Sequence, residues 1–358
     1  MAALAPLAES DSRRGSDYSR LSRRISAAGL LERRTGWYVA RIALTVGLFV
    51  GGWIAFVAVG DSWWQLAVAA FLAGATTQVA FLGHDAGHRQ MFRNRRASEV
   101  AGLLAGNLAI GLSYGWWVDK HNRHHANPNH SHDDPDVGAG ALVWTSEQAL
   151  ATRGFGRWLA QRQAYLFFPM LLLEGLALHV ASVRALTDGT PMRHRRTEAI
   201  LLALHAAGYL GALFMVLSPG RALAFLAVHQ GLWGLYMGCS FAPNHKGMPM
   251  VGDGDDLDFL RKQVLTSRNV RGGALVDFAL GGLNYQIEHH LFPSMPRGNL
   301  RRAQPVVAEY CAEQGIPYEQ TGLFDSYRQA LHHLHAVGAP LRAGRTADGG
   351  GIAGQSGR

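Results

Sequence analysis

Two apolar runs separated by a single charged residue constrain this chain more than any other feature of it. Residues 42–60 carry no charge, with a mostly apolar lead-in from Trp37 broken only by Arg41, and residues 62–83 are uncharged again. Each approaches or exceeds the roughly 20 residues that a helix needs to cross the apolar core of a bilayer. Only Asp61 and its neighbours lie between them, so the two runs must form an antiparallel hairpin. A second pair, about 199–217 and 222–243, is joined by Ser218, Pro219, Gly220 and Arg221 and reads the same way. A segment in lipid has to satisfy its own backbone polar groups, which makes such runs helices. The expected fold is an all-α membrane protein with four transmembrane helices arranged as two hairpins.

The apolar share of 48% over 358 residues is ordinary for a soluble protein. What marks a membrane protein is the segregation of those residues into blocks. Arg13, Arg14, Arg20, Arg23, Arg24, Arg33 and Arg34 precede the first block, on the flank that the positive-inside rule assigns to the cytoplasm. The net charge of +8 and the pI near 9.8 therefore call for no nucleic acid, and no zinc-finger spacing or aromatic-interleaved basic motif accompanies the arginines. Cys239 and Cys311 lie too far apart to suggest a disulfide framework or a cysteine metal site. The first apolar run starts only near Trp37 and is too long for a secretory signal. The expected organisation is a basic cytoplasmic segment over residues 1–36, a membrane domain with a cytoplasmic cap over 37–340, and a disordered Gly-, Ser- and Ala-rich tail over 341–358. Residues 323–335 are patterned as an amphipathic helix that can close over the cytoplasmic face.

Histidine spacing carries the chemistry. HDAGH places His84 and His88 at i and i+4, on one helical face where the second run ends. HNRHH places His121, His124 and His125 at i, i+3 and i+4, again on one face. QIEHH sets His289 and His290 about 100° apart on a helix, able to serve two different metals, with Gln286 leading the motif. His245 follows the last run directly. One HxxxH pair alone is more often a surface pair than a site, but three clusters and His245 bring together eight imidazoles, more than the four ligands usual for one zinc, and so imply two metals. Imidazole suits zinc, copper, iron or nickel alike; with no motif for hydrolysis in view, redox chemistry with dioxygen favours iron. Nearby Asp85, Asp133, Asp134, Asp136 and Glu288 are candidates to orient the rings, or else are solvated loop charges.

The clusters also fix topology. If they form one site, they share one face of the membrane, so residues 100–118, holding Asn107, cannot cross an odd number of times between the first two clusters. Residues 164–183, holding Glu174 and His179, likewise cannot add a lone crossing. Both are expected to be interfacial or re-entrant helices.

In order and spacing, HDAGH, HNRHH and QIEHH resemble the three histidine boxes of the membrane fatty-acid desaturases, and the phrase NYQIEHHLFP at residues 284–293 is especially specific. The resemblance covers nearly everything from Trp37 to about Pro296, and a glutamine opening the third box is similar to the branch with front-end and related acyl-lipid or acyl-CoA desaturases. It implies oxygen-dependent desaturation of a fatty acyl chain at a di-iron centre, with O2 as co-substrate. It further implies His84, His88, His121, His124, His125, His289 and His290 as iron ligands, with His245 as an eighth. Gln286 is then a weak or water-mediated ligand or a hydrogen-bonding group, and Asn244 and Asp85 are partners around the ligands. No HPGG haem motif stands before residue 37 or after residue 296, so the resemblance implies a separate electron donor, such as a ferredoxin with its reductase. Such a donor would dock at the cytoplasmic face, where Arg89, Arg93, Arg95 and Arg96 either attract an acidic partner or are ordinary positive-inside charges.

Two other classes compete with an acyl desaturase. A related di-iron lipid hydroxylase or ketolase would use the same ligands. A membrane metal transporter would place histidines near the bilayer midplane, but only His179, His205 and His229 lie within apolar segments, and these read better as satisfied structural histidines; a metal-binding protein without catalysis would bind a small lipid without turnover.

Overall fold

Helix α1 (Asp17–Ala27) opens on Ser16, whose hydroxyl accepts from the amide of Ser19 and so caps the first turn. The computed structural model describes residues 16–348, and Arg13 and Arg14 of the basic segment lie outside the described residues. Two long helices follow, α2 (Thr35–Val59) and α3 (Gln65–Gly87). Helix α4 (Arg95–Leu103) runs into a π-helical turn, Leu104–Ala109, and α5 (Tyr114–Ala126) starts afresh beyond it. Helices α6 (Ser146–Ala151), α7 (Gly154–Leu171) and α8 (Glu174–Ala185) precede the second long pair, α9 (Arg195–Val216) and α10 (Pro219–His245). A cap completes the chain, with α11 (Phe259–Leu265), β1 (Asn269–Val270), α12 (Ala274–Ala279), α13 (Gln286–Leu291), α14 (Arg297–Glu313), β2 (Gln320–Thr321), α15 (Leu323–Val337) and α16 (Ala339–Asp348). The two strands pair in parallel, Asn269 opposite Gln320 and Val270 opposite Thr321.

Helices α2, α3, α9 and α10 are 25, 23, 22 and 27 residues long with mean hydropathies of 2.3, 1.7, 2.0 and 1.2, each long and apolar enough to cross a membrane. Their outer faces carry exposed apolar side chains such as Ile54, Val57, Leu204 and Met215. Their inner faces meet around Phe56, Leu72, Leu213 and Phe225. Asp61, between α2 and α3, accepts from the amide of Ser218 at 2.9 Å and pairs with Arg221 at 2.6 Å, which sets the two inter-helix connections side by side. His84 and His245 sit near the opposite ends of α3 and α10.

The segments expected to lie along or dip into the membrane are both broken. Residues 100–118 form the end of α4, the π-helical turn, a bend and the start of α5. Residues 164–183 fall on α7 and α8, which meet at an 84° bend and would make a fifth span only if taken as one. That elbow packs on α10 where Gly234 has no side chain, and a Cβ there would come within 2.5 Å of Gly175 N and 2.7 Å of Leu171 O.

Helix α15 covers the amphipathic pattern expected over 323–335 and buries Ala330 and Leu334 toward α7 and α10. Helix α1 lies on the other side of the cap, its Leu21 and Ile25 joining a core with Leu260, Ile287, Leu291 and Val307. Arg24 pairs there with Glu313 at 2.7 Å and Arg261 with Asp17 at 2.9 Å. The segment expected to be a tail from 341 begins inside α16, and residues 349–358 lie outside the described residues.

The bend before α5 is held by Glu198 of α9, a buried carboxylate that accepts from Asn107 Nδ2 at 3.1 Å, Ser113 Oγ at 2.7 Å and Gly115 N at 3.1 Å. Replacing Glu198 with alanine leaves all three donors buried without an acceptor. The expected loss is on the order of 3 kcal/mol, seen as a lower Tm in detergent, whereas Glu198→Gln should lose about half of that because its carbonyl still accepts.

Candidate metal centre

Four elements bring their histidines to one buried chamber. His84 lies in the last turn of α3 and His88 caps that helix; His121, His124 and His125 lie on α5; His245 ends α10; His289 and His290 lie on α13. Ring nitrogens of His84, His88, His121 and His289 fall within 4.8 Å of one another, and so do those of His124, His245 and His290. His125 stands between the groups, its Nε2 3.1 Å from His121 Nε2 and its ring stacked on His290 at 4.1 Å. All eight histidines expected from the sequence are thus in one place.

The tautomers of the second group follow from its partners. His245 Nδ1 lies 2.9 Å from Thr266 O, which can only accept, so Nδ1 carries the proton. His290 Nδ1 lies 2.9 Å from Gln263 Oε1, and that amide is oriented by its own Nε2 donating to His125 O at 2.9 Å. His124 Nδ1 lies 3.0 Å from both oxygens of Asp134, a carboxylate fixed by the amides of Asn129 and Asp136. Each Nε2 therefore presents a lone pair, and these face each other at 3.3 Å (His124 to His245) and 3.0 Å (His245 to His290). Ligands at about 2.1 Å from a common metal stand about 3 Å apart, so this donor set fits a metal ion. In the first group His88 and His121 bring their Nε2 atoms to 2.9 Å, while His84 Nε2 and His289 Nε2 are buried with no hydrogen-bond partner among the described residues. Burial, then the neighbouring imidazoles, hold His88, His121, His125, His289 and His290 well below the usual histidine pKa, hence neutral and able to coordinate.

The acidic residues near the clusters divide. Asp134 orients His124, and Asp136 lies 3.5 Å from the same nitrogen while pairing with Lys120. Asp85 lies 3.5 Å from His84 Nδ1 and is gripped from behind by Arg297 at 2.5 Å, both side chains being buried. Asp133 is exposed and faces His130 instead. Glu288 turns away from the chamber to Asn269 and Tyr318, and burial raises its pKa to about 7. Asn244 donates to Gln286 Oε1 at 3.2 Å, which turns the Gln286 amide NH2 toward His245 Nε2 at 2.9 Å. In this orientation Gln286 offers a hydrogen bond to the chamber, since an amide NH2 has no lone pair to coordinate with. Gln263, Thr266 and Arg297 had no signal in sequence, as they lie outside the histidine motifs and act only through the fold.

A cavity of ≈ 330 Å³ opens beside both groups, touching His84, His121, His124 and His245. Ile110, Leu112, Leu171, Leu178, Met237 and Leu283 make it apolar, and Lys120, Asp136, Glu174 and Lys246 stand on its polar rim.

Residues 61–322 match the family described as fatty acid desaturase. The chain is 31% identical over 315 residues to an acyl-lipid (9-3)-desaturase of Physcomitrium patens, a match covering 84% of this chain and 58% of that protein. It is 32% identical over 313 residues to a Delta(8)-fatty-acid desaturase of Euglena gracilis, covering 84% and 74% of the two chains. It is 29% identical over 321 residues to the Delta(5) fatty acid desaturase fat-4 of Caenorhabditis elegans, covering 87% and 71%.

The Arg297 to Asp85 contact can be tested by itself. Arg297→Met leaves Asp85 as an unpaired charge in the interior and should cost about 3–5 kcal/mol, read as a fall in Tm. Adding Asp85→Asn to that variant should recover part of the loss, and strictly additive effects would show that the two side chains are not coupled.

Proposed function

Because this chain belongs to the fatty acid desaturase family, and so to the oxidoreductases, we propose that it introduces a double bond into a fatty acyl chain at a pair of irons, using O2. His84, His88, His121 and His289 hold one iron, His124, His245 and His290 the other, and His125 stands where it serves either. The observation that carries this reading is the set of three Nε2 lone pairs turned on each other while every Nδ1 proton is already given to Thr266, Gln263 or Asp134. When bound, the metals supply the dioxygen chemistry that removes hydrogen from an unactivated methylene, beyond the reach of side-chain acids and bases.

The remaining work belongs to the chain's own residues. The apolar wall of Ile110, Leu112, Leu178, Met237 and Leu283 excludes water and lays the acyl chain past His84, His121, His124 and His245. Lys120, held by Asp136, and Lys246, over the Trp144 ring at 3.8 Å, face the polar end, where an ester or thioester carbonyl of a lipid or coenzyme A carrier can accept. Gln286, oriented by Asn244, donates to the His245 Nε2 lone pair and would yield that lone pair to a bound metal rather than bind the metal itself.

We place the four spans as two hairpins with the histidine chamber, the cap and the N-terminus on the cytoplasmic side, supported by the arginines ahead of α2 and by the paired connections at Asp61. Electrons come from a separate donor, such as a ferredoxin with its reductase, for which the exposed Arg89, Arg93, Arg95 and Arg96 offer a basic landing surface.

Expression in a host with a compatible donor, followed by gas chromatography and mass spectrometry of the fatty acids, tests the activity. A new unsaturated acid is expected, falling at least about 100-fold in His124→Ala and in His289→Ala, each of which should also lose close to one of two bound irons. A hydroxylated product would replace desaturation by hydroxylation. No new product from a two-iron protein with a working donor would count against acyl chemistry.

A further inference from the structure

Behind the catalytic cavity lies a second one, of ≈ 440 Å³, between α2, α3, α9, α10 and the π-helical turn. Among the described residues, Ile110 is the one lining residue that the two cavities share, which places it at the boundary between them. Phe49, Trp53, Leu104, Leu108, Leu204 and Ala212 give the second cavity an apolar wall. Several hydrogen-bonding groups on that wall are turned on their neighbours. Tyr209 OH donates to His229 Nδ1 at 2.8 Å and His205 Nδ1 donates to Leu108 O at 2.9 Å. Leu104, Leu108 and Leu204 are also exposed on the outer surface of the bundle, so the cavity opens sideways, toward the lipid that surrounds apolar helices of this length.

That boundary is held firmly. His205 takes the carbonyl of Leu108 and His179 Nδ1 donates to the carbonyl of Gly111 at 2.9 Å, so the backbone is clamped on both sides of Ile110. Gly111 has φ +71 and sits so close to the two rings that a Cβ would meet His205 at 2.5 Å and His179 at 2.9 Å. A π-helical turn frees backbone carbonyls that need such partners. His179 and His205 thus hold residue 110 in place.

Resting on the desaturase reading, we propose that the second cavity receives the methyl-end part of a long acyl chain and that Ile110 decides how much chain passes beyond the catalytic cavity. A short chain ends at Ile110. A long one displaces the Ile110 side chain, fills the second compartment and can run out through the sideways opening, so the compartment sets no upper length of its own.

Ile110→Phe adds bulk at the boundary, and Gly208→Leu plugs the second cavity from the far side, where a Cβ on Gly208 meets nothing within 4 Å. Supplied with a short and a long saturated fatty acid, both variants should lower the long-to-short product ratio at least about tenfold, with short-chain turnover kept in Gly208→Leu, which lines only the second cavity, and Ile110→Ala should raise the ratio. An unchanged ratio in an active Gly208→Leu protein overturns the compartment. Binding is read independently of turnover through quenching of tryptophan fluorescence by a long fatty acid brominated near its methyl end. Quenching that depends on Trp53 and is lost in Gly208→Leu supports the compartment even if no product forms, in which case only the desaturase reading fails. Wild-type protein that binds this probe without quenching of Trp53 overturns the compartment whatever the activity.

Discussion

Everything in the chamber depends on where the Nδ1 protons go. A neutral imidazole has one N–H and one lone pair, and once Thr266, Gln263 and Asp134 have taken the N–H groups, the lone pairs of His245, His290 and His124 converge on one another, with the Gln286 NH2 beside that of His245. Such an arrangement is repulsive by itself and becomes favourable around a cation, which imidazoles kept neutral by burial are suited to bind. The partners behind the rings therefore matter as much as the rings, because they decide which nitrogen points inward.

Those partners come from places that only the cap brings together. Gln263 of α11 touches α5 through His125 O and α13 through His290, locking two histidine-bearing helices to each other. Asn129, with φ 56 in a conformation that asparagine tolerates, donates from its backbone to Asp134 and from its side chain to His245 O, tying α5 to the end of α10. Arg297 at the start of α14 reaches back to Asp85 and to Phe81 O on α3. Arg297 ties an apolar helix to the cap, Gln263 ties α5 to the cap and Asn129 ties the end of α5 to α10, so the geometry of the chamber follows from how α5 and the cap dock on the ends of the apolar helices.

This division explains what could be read in advance. The four long helices were legible because length and lack of charge are local properties, and the histidine spacings because i, i+3 and i+4 share a helical face. Residues 100–118 and 164–183 were expected not to cross as single spans, but their breaks were hidden, since a π-helical turn and an 84° elbow depend on packing against Glu198 and Gly234 rather than on local pattern. Asp133 and Asp134 are neighbours in sequence, yet only Asp134 reaches a ring; the tight turn that separates their directions was invisible from composition. Gln263, Thr266 and Arg297 share no spacing with the histidines they orient or support.

The cap also imposes an order of events in biogenesis. A ribosome delivers α3 and α5, with five of the eight histidines, long before α13, and α10 must be placed in the bilayer between those moments. Neither histidine group is complete until residues 289 and 290 have emerged and α13 has docked, and α1, the first of the described helices, can pack against α14 only once α14 has been made. A metal held by both groups would thus be taken up late in maturation, on a chain whose membrane helices are already in place. A nascent chain halted before α13 would expose a ring of unsaturated imidazoles, open to whichever ion the cell offers first.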